Sequence, residues 1–319
     1  MVVVLAGGVG AARFLRGLTQ VVDPEDVIVV VNVGDDIELH GLRICPDLDS
    51  ITYWLTGLVH PEQQWGRADE RFTVRDELER LGHDQWFTLG DRDLALHLHR
   101  TAMLRAGVPL SEVTADVTRR HGLALRLVPV SDDRIETRIH TTDGRDLHFQ
   151  RWWVGERAAP DVARVEFRGA ETALPAPGVV EAILDADVVI IAPSNPVVSV
   201  APITAVPAVA AALATTPARV VGVSPVIGGR VVRGMAHRLL PAVGADVDAA
   251  SVARWYGARR DGGLLDAWVL DTADAEALAT VQELEIAATV TDTLLDDVAV
   301  AGRLAATVLA FAGGTGDAA

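Results

Sequence analysis

Residues 2–18, Val2-Val3-Val4-Leu5-Ala6-Gly7-Gly8-Val9-Gly10 followed by AARFLRGL, decide the fold. Val2 to Ala6 is an unbroken apolar, β-branched run, the pattern of a strand buried on both faces. Gly7 to Gly10 follow at once, and Ala11 to Leu18 reads as a helix. A second apolar run, Val27 to Val31, ends in Asn32-Val33-Gly34-Asp35-Asp36. Strand, glycine turn, helix and strand open a parallel sheet, so the sequence predicts an α/β, Rossmann-like fold.

The same grammar returns late in the chain. Asp187 to Ala192 reads as a strand that exits into Pro193-Ser194-Asn195-Pro196, and Ile203 to Leu213 as an Ala-rich helix. Arg219 to Val223 is a strand exiting into Ser224-Pro225-Val226-Ile227-Gly228-Gly229. Leu265 to Leu270 and Leu284 to Ala288 read as strands, Leu295 to Phe311 as a closing helix, and Gly313 to Ala319 as a small-residue tail. Between the two halves the pattern changes. Residues 70–121 are charged and helical, while residues 124–155 alternate, with Thr142-Asp143-Gly144-Arg145 as a hairpin turn. The expected organisation is a Rossmann-like nucleotide-binding core from residues 1–60 and 170–319. Residues 61–169 form an inserted capping subdomain, mostly helical with a β-hairpin.

Composition removes several classes of function. The chain has 28 Lys+Arg against 44 Asp+Glu, a formal net charge of −16. Nucleic acid and anionic membranes need clustered basic surface, so neither is expected as a partner. Lysine is absent, so every one of the 28 basic residues is arginine. A Walker-type phosphate lysine and a Schiff base are therefore excluded. Cys45 is the only cysteine, which allows no intrachain disulfide and fits a reducing compartment. The opening apolar run is too short for a signal or anchor, so a cytoplasmic protein is expected.

The residues that carry chemistry sit at strand exits. Gly7, Gly8 and Gly10 precede a helix, whose free N–H groups and positive dipole end suit phosphate. A tight turn binding nothing is the plainer alternative. The dinucleotide fingerprint G-x-G-x-x-G is broken, because Arg13 stands at its third glycine. Asp35 and Asp36, then Asp47 and Asp49 in Cys45-Pro46-Asp47-Leu48-Asp49-Ser50, form the hard-oxygen set that Mg²⁺ prefers. Asp49 or Ser50 could instead cap a helix over Ile51 to Leu58. Leu89-Gly90-Asp91-Arg92-Asp93-Leu94 precedes another helix and, alone, reads as a cap with an ion pair. Loops at the carboxyl ends of parallel strands are where such sheets bind ligands, which marks Ser194, Asn195, Ser224 and Gly228. His40, near the acids, is scaffolding, base or ligand. Trp152-Trp153 could stack on an aromatic ligand, although paired aromatics on a strand usually include at least one core residue.

In order along the chain, LAGGVGAARFLRGL, VNVGDDIELHGLRICPDLDS, LGDRDLALHLHR, VPVSDDRIETRI, HFQRWWVG, APSNPVVSV and SPVIGG resemble the 2-phospho-L-lactate transferase family of coenzyme F420 biosynthesis. The resemblance is greatest to its actinobacterial phosphoenolpyruvate transferase branch. Ala11 departs from the glycine of relatives, and Arg13 from the lysine of archaeal members. The resemblance implies a Mg²⁺-dependent, homodimeric transferase. The ribityl hydroxyl of a deazaflavin, Fo, attacks the guanosine diphosphate ester of enolpyruvate or lactate, giving dehydro-F420-0 or F420-0 and GMP. It also implies roles for residues here. Asp49, Asp91 and Arg92 would be catalytic, with Asp35, Asp36, Asp47 and Asp49 around the metal. Gly7, Gly8, Gly10, Arg13, Asn32, Asp49, Thr88, Ser194, Asn195, Ser224 and Gly228 would touch substrate. Arg13, Arg43 and Arg92 are the candidate cationic clamps. The rival from another class is an NAD(P)-dependent Rossmann oxidoreductase.

Overall fold

A computed structural model describes residues 1–314, so the last five residues of the small-residue tail lie outside the described residues. In chain order the strands are β1 (Val2–Ala6), β2 (Val27–Val31), the hairpin β3 (Ile37–Leu39) and β4 (Leu42–Ile44), β5 (Arg126–Pro129), β6 (Glu136–Thr141), β7 (Asp146–His148) and β8 (Val162–Arg168). Then come β9 (Val188–Ile191), β10 (Arg219–Val223), the short pair β11 (Val226–Ile227) and β12 (Arg230–Val231), β13 (Ala267–Asp271) and β14 (Ala287–Thr291). Seven of these make one sheet in the order β14-β13-β10-β9-β1-β2-β5, with every pairing parallel. Apolar side chains cover both faces: all five residues of β1 and all four of β9 are buried.

The chain builds outward from β1 in one direction through β2 and β5, then returns to add β9, β10, β13 and β14 on the other side. The reversal falls between β1 and β9, the crevice where open α/β sheets of this order place ligands. Helix α1 (Gly8–Leu18) leaves β1 directly and packs against the closing helix Val298–Ala312. Its apolar face, Ala11, Ala12, Phe14, Leu15 and Leu18, recurs at helical spacing and is fully buried. Four more helices follow on the β2 side: α2 (Pro46–Leu55), α3 (Thr73–Arg80), α4 (Asp91–Arg105) and α5 (Leu110–Arg120).

Several boundaries differ from the sequence expectation. The Ala-rich helix expected over Ile203 to Leu213 is two helices, Ala201–Thr204 and Pro207–Thr215, because Pro207 cannot continue the first. The closing helix starts at Val298, capped by Asp297, not at Leu295. Helix α2 begins at Pro46, five residues before Ile51, because proline at the first helical position is pre-set for helix and its missing N–H costs nothing there. The strand expected from Leu284 begins at Ala287, since Glu285 takes a φ of +61° and breaks the extended run. The stretch 61–169 is also not an insertion throughout: β5 lies within it and pairs with β2 as an edge strand of the main sheet. The hairpin at residues 142–145 does form, and β7, β6 and β8 make a separate antiparallel sheet. Trp152 and Trp153 lie in the helical turn Arg151–Gly155; Trp152 is buried and Trp153 partly exposed. Among the described residues no single helix is long and apolar enough to cross a membrane.

Candidate active site

The exits of β1, β2 and β9 meet at the crevice. Gly10 lies so close to the β9 exit that an added Cβ would sit 2.2 Å from the Pro193 carbonyl oxygen. At Gly7 an added Cβ would lie 2.7 Å from both Asp47 Oδ2 and Ser199 Cβ. Ser194 Oγ donates to the Gly7 carbonyl at 2.8 Å and is buried, so it ties the two loops together. Asn195 accepts from the amides of Val197 and Val198, capping the turn Pro196–Val200.

Asp47, on the first turn of α2, reaches into this crevice. Asn32, fully buried at the end of β2, donates to Asp47 Oδ2 at 2.8 Å and to the Val198 carbonyl at 3.1 Å, and accepts from the Gly34 amide at 2.7 Å. The Gly8 amide also donates to Asp47. The anion-attracting start of α1 therefore already holds a carboxylate. Asp35 lies close enough for its charge to interact with Asp47. Burial, and for Asp35 the neighbouring Asp47 charge, hold both carboxyls above the usual range. Asp35 Oδ1 is buried with no hydrogen-bond partner.

The other two aspartates of the expected set have arginine partners. Asp36 pairs with Arg43 at 3.0 Å; burial still pushes its pKa up to about 6. Asp49 is not a cap, because α2 starts three residues earlier. Its carboxylate faces α4 and accepts from both terminal nitrogens of Arg100, one of them at 3.0 Å. Burial is the largest single influence and works against the Arg100 cation, but the charge and hydrogen bond of Asp49, together with Cys45 and Asp36, outweigh it and raise the guanidinium pKa. His97, one turn earlier on α4, is 3.7 Å from Asp49, and burial drives its pKa down to about 4, so it is neutral.

Asp93, which the resemblance includes only as part of the Thr88–Asp93 turn and not among the catalytic residues, is the interior carboxylate of the Leu89–Leu94 motif. It accepts a 2.6 Å hydrogen bond from the Tyr53 hydroxyl, and burial raises its pKa to about 6. Asp91 points outward instead and caps α3, accepting from the amides of Thr73 and Val74. Arg92 is half exposed, 3.9 Å from Asp69, and Thr88 is exposed. Arg13 does not turn toward the glycine loop: it pairs with Asp296 at 3.3 Å and donates to Gln64. Ser224 is buried and bonded to Val226, and Gly228 donates its amide to Asp274. His40 stacks edge-on with His83, 5.5 Å between ring centres.

The structure thus brings Gly7, Gly8, Gly10, Asn32, Asp35, Asp47 and Ser194 together, and sets Asp49 in a second buried network with Arg100 and His97. A four-aspartate metal cage is not formed; among the described residues no three His, Cys, Asp or Glu side chains converge as metal ligands. Asp36 Oδ1 is also unmet, but Asp36 is tied to Arg43, so Asp35 and Asp47 are the pair that could hold Mg²⁺. That ion takes one or two carboxylates, keeps waters and completes its shell with substrate phosphate. An unmet buried oxygen and two carboxyls held toward protonation by burial are what a cation there would relieve.

Comparison with known proteins agrees with this architecture. A UPF0052-family protein from Bacillus halodurans has the same fold, with a TM-score of 0.64 over 97% of this chain and 98% of that one at 18% identity. A phosphoenolpyruvate transferase from Kitasatospora aureofaciens is 50% identical over 316 residues, covering 98% of this chain and 97% of its own. Another from Streptomyces griseus is 48% identical over 315 residues, covering 98% of both. Residues 2–307 match the family described as 2-phospho-L-lactate transferase CofD, and the chain belongs to that family.

Proposed function

We propose that this chain is the phosphoenolpyruvate transferase of coenzyme F420 biosynthesis. The enolpyruvyl phosphate of a guanosine diphosphate ester passes to the ribityl hydroxyl of Fo, giving dehydro-F420-0 and GMP; a lactyl donor would give F420-0. The observation that carries this reading is the buried Asp35–Asp47 pair at the crevice of a chain matching the family from residue 2 to 307.

Attack on an anionic diphosphate is limited by charge and alignment, not by covalent help from the protein. Mg²⁺ held by Asp35 and Asp47 would supply the charge neutralisation that the diphosphate needs there. Asn32 fixes the rotamer of Asp47, and Ser194 fixes the loop opposite. Asp49 is committed to Arg100, so its part is to orient α2 against α4. Asp93, its pKa raised to about 6 like that of Asp36 but with no arginine partner, is the candidate to receive the proton of the attacking hydroxyl. The oxidoreductase alternative requires a pyrophosphate on the first amides of α1, and Asp47 already engages the Gly8 amide. The reading carries with it a cytoplasmic homodimer, expectations that rest on the lone cysteine and on the family.

Purified protein incubated with Mg²⁺, Fo and the enolpyruvyl ester should yield GMP and dehydro-F420-0 by mass spectrometry. Fo left unconverted, while a characterised relative converts it under the same conditions, refutes the assignment.

A further inference from the structure

A cavity of about 330 Å³ opens beside α1 and α2, lined by Arg13, Arg16, Trp54, His60, Gln64 and Asp296. Arg13 and Arg16 both lie over the Trp54 ring, 5.3 and 5.5 Å from its centre. Arg233, from the segment after β12, is near enough for its charge to act on Arg13. Two arginines thus share this cavity, with the charge of Arg233 felt at Arg13, in a chain whose net charge is −16. Burial, then Arg233, and also Arg16, pull the Arg13 pKa down, and Asp296 only partly offsets them. Asp296 is 65% exposed, so solvent screens its countercharge. The neighbouring Asp297 is occupied as the cap of the closing helix, accepting from the Ala299 amide. Adjacent guanidinium groups repel one another, and an anion seated between them relieves that repulsion.

We propose that this cavity is an oxyanion site separate from the Asp35–Asp47 crevice, in which Arg13 and Arg16 receive a phosphate or carboxylate group and Arg233 adds its charge. Guanidinium groups suit such a ligand because their planar donors match its oxygens two at a time. The Trp54 ring holds both Arg13 and Arg16 against it, and its own indole N–H is directed to the Gln64 carbonyl at 3.2 Å. Gln64, whose side chain accepts from Arg13, gives way when the anion takes over that guanidinium. The proposal rests on the functional reading only for the identity of the anion: the carboxylate of the donor ester, whose diphosphate that reading places at the Asp35–Asp47 crevice, or free phosphate.

Calorimetric titration with inorganic phosphate, GDP and phosphoenolpyruvate, each at fixed ionic strength, tests it and separates these sources. At least one should bind saturably, and Arg16→Ala and Arg233→Ala should each weaken that ligand about tenfold. Both side chains are exposed, so the variants should keep the parent far-UV CD spectrum. Asp296→Asn removes the opposing charge and should tighten binding severalfold, an effect that a purely structural Arg13–Asp296 pair does not produce. Affinities unchanged within twofold in both arginine variants, or no binding of any of the three, overturn the proposal. Unchanged affinities with intact transfer to Fo count against this site alone, whereas arginine-dependent binding without transfer counts against the functional reading alone.

Discussion

Asp49 and Arg100 stand 51 residues apart in sequence and form a buried two-point ion pair between α2 and α4. Each ion has lost its water, so each depends on the other. Removing one partner leaves an uncompensated buried charge, typically about 3–5 kcal/mol. Arg100→Ala and Asp49→Asn should therefore both lower the urea-unfolding free energy by several kcal/mol, and their double-mutant cycle should show strong coupling. Were Asp49 merely a helix cap, Asn would replace it for less than about 1 kcal/mol. A loss that small in Asp49→Asn rules out the paired role.

The glycine loop separates two kinds of glycine. Gly10 faces the Pro193 carbonyl, which is backbone and cannot rotate away. Gly8 has a φ of +68°, and an added Cβ meets nothing nearer than 3.9 Å. Gly8→Ala should cost about 1–2 kcal/mol through its left-handed backbone alone. Gly10→Ala must push the β1 and β9 exits apart and should cost more, toward the upper end of the roughly 1–3 kcal/mol of overpacking. Chemical denaturation of both variants gives the order, and a larger loss for Gly8→Ala contradicts the packing described.

The two halves of the site were unequally legible in the sequence. The apolar runs ending in Gly7–Gly10, Asn32–Asp36 and Pro193–Pro196 mark strand exits, and parallel topology brings such exits together whatever the side chains between them. Local pattern could not show which partner each aspartate takes. Arg100 and His97 lie on a helix far along the chain, and nothing near Asp49 names them. Within Asp91-Arg92-Asp93, two residues of helical rotation separate an outward cap from an inward carboxylate. Locating Tyr53 on α2 would have been needed to see which was which. The sequence assigns β5 to the insertion because it lies in the stretch 124–155 that reads as alternating, yet in the fold only Arg126 is exposed and Leu127 to Pro129 are buried against the main sheet. Arg13 was placed by its spacing from the glycines, yet its guanidinium turns toward Gln64 and Asp296 instead.

Asp93 should leave a mark on the pH dependence of stability. Its folded pKa, about 6, lies above the unfolded value near 3.8, so the folded state binds more protons between them. This group's contribution is fully present below pH 3.8 and is lost as pH rises through about 6. His97, with a folded pKa near 4, works the other way, gaining stability from pH 4 toward 6.5. The net slope of the parent therefore mixes both signs, and the informative quantity is the difference between parent and variant. Asp93→Asn, which stays neutral and can still accept from Tyr53, should remove the falling component, so its stability rises more steeply from pH 4 to 6.5 than the parent's. Parallel pH profiles would mean that Asp93 titrates alike in both states.

The Asp35–Asp47 pair makes the sharpest forecast, because metal binding and folding pull in opposite directions there. Without a cation, burial and mutual repulsion penalise the ionised pair, so neutralising one member should stabilise the metal-free protein. Asp35→Asn should raise the melting temperature in EDTA, while Asp36→Asn and Asp49→Asn, which abandon Arg43 and Arg100, should lower it. With Mg²⁺ added, a ligand that binds only the folded state stabilises by about 2.7 kcal/mol at a hundred times its Kd. The parent should show that upward shift and Asp35→Asn should lose most of it, so that the order of the two proteins inverts between EDTA and Mg²⁺. Asp47→Asn should behave alike toward Mg²⁺, since Asn32 and the Gly8 amide can still hold its side-chain oxygen. The measurement is thermal unfolding of four variants with and without the ion, independent of any assay of transfer. An Asp35→Asn protein that is less stable than the parent in EDTA, yet shifts as much with Mg²⁺, would show that the pair serves packing and not a cation.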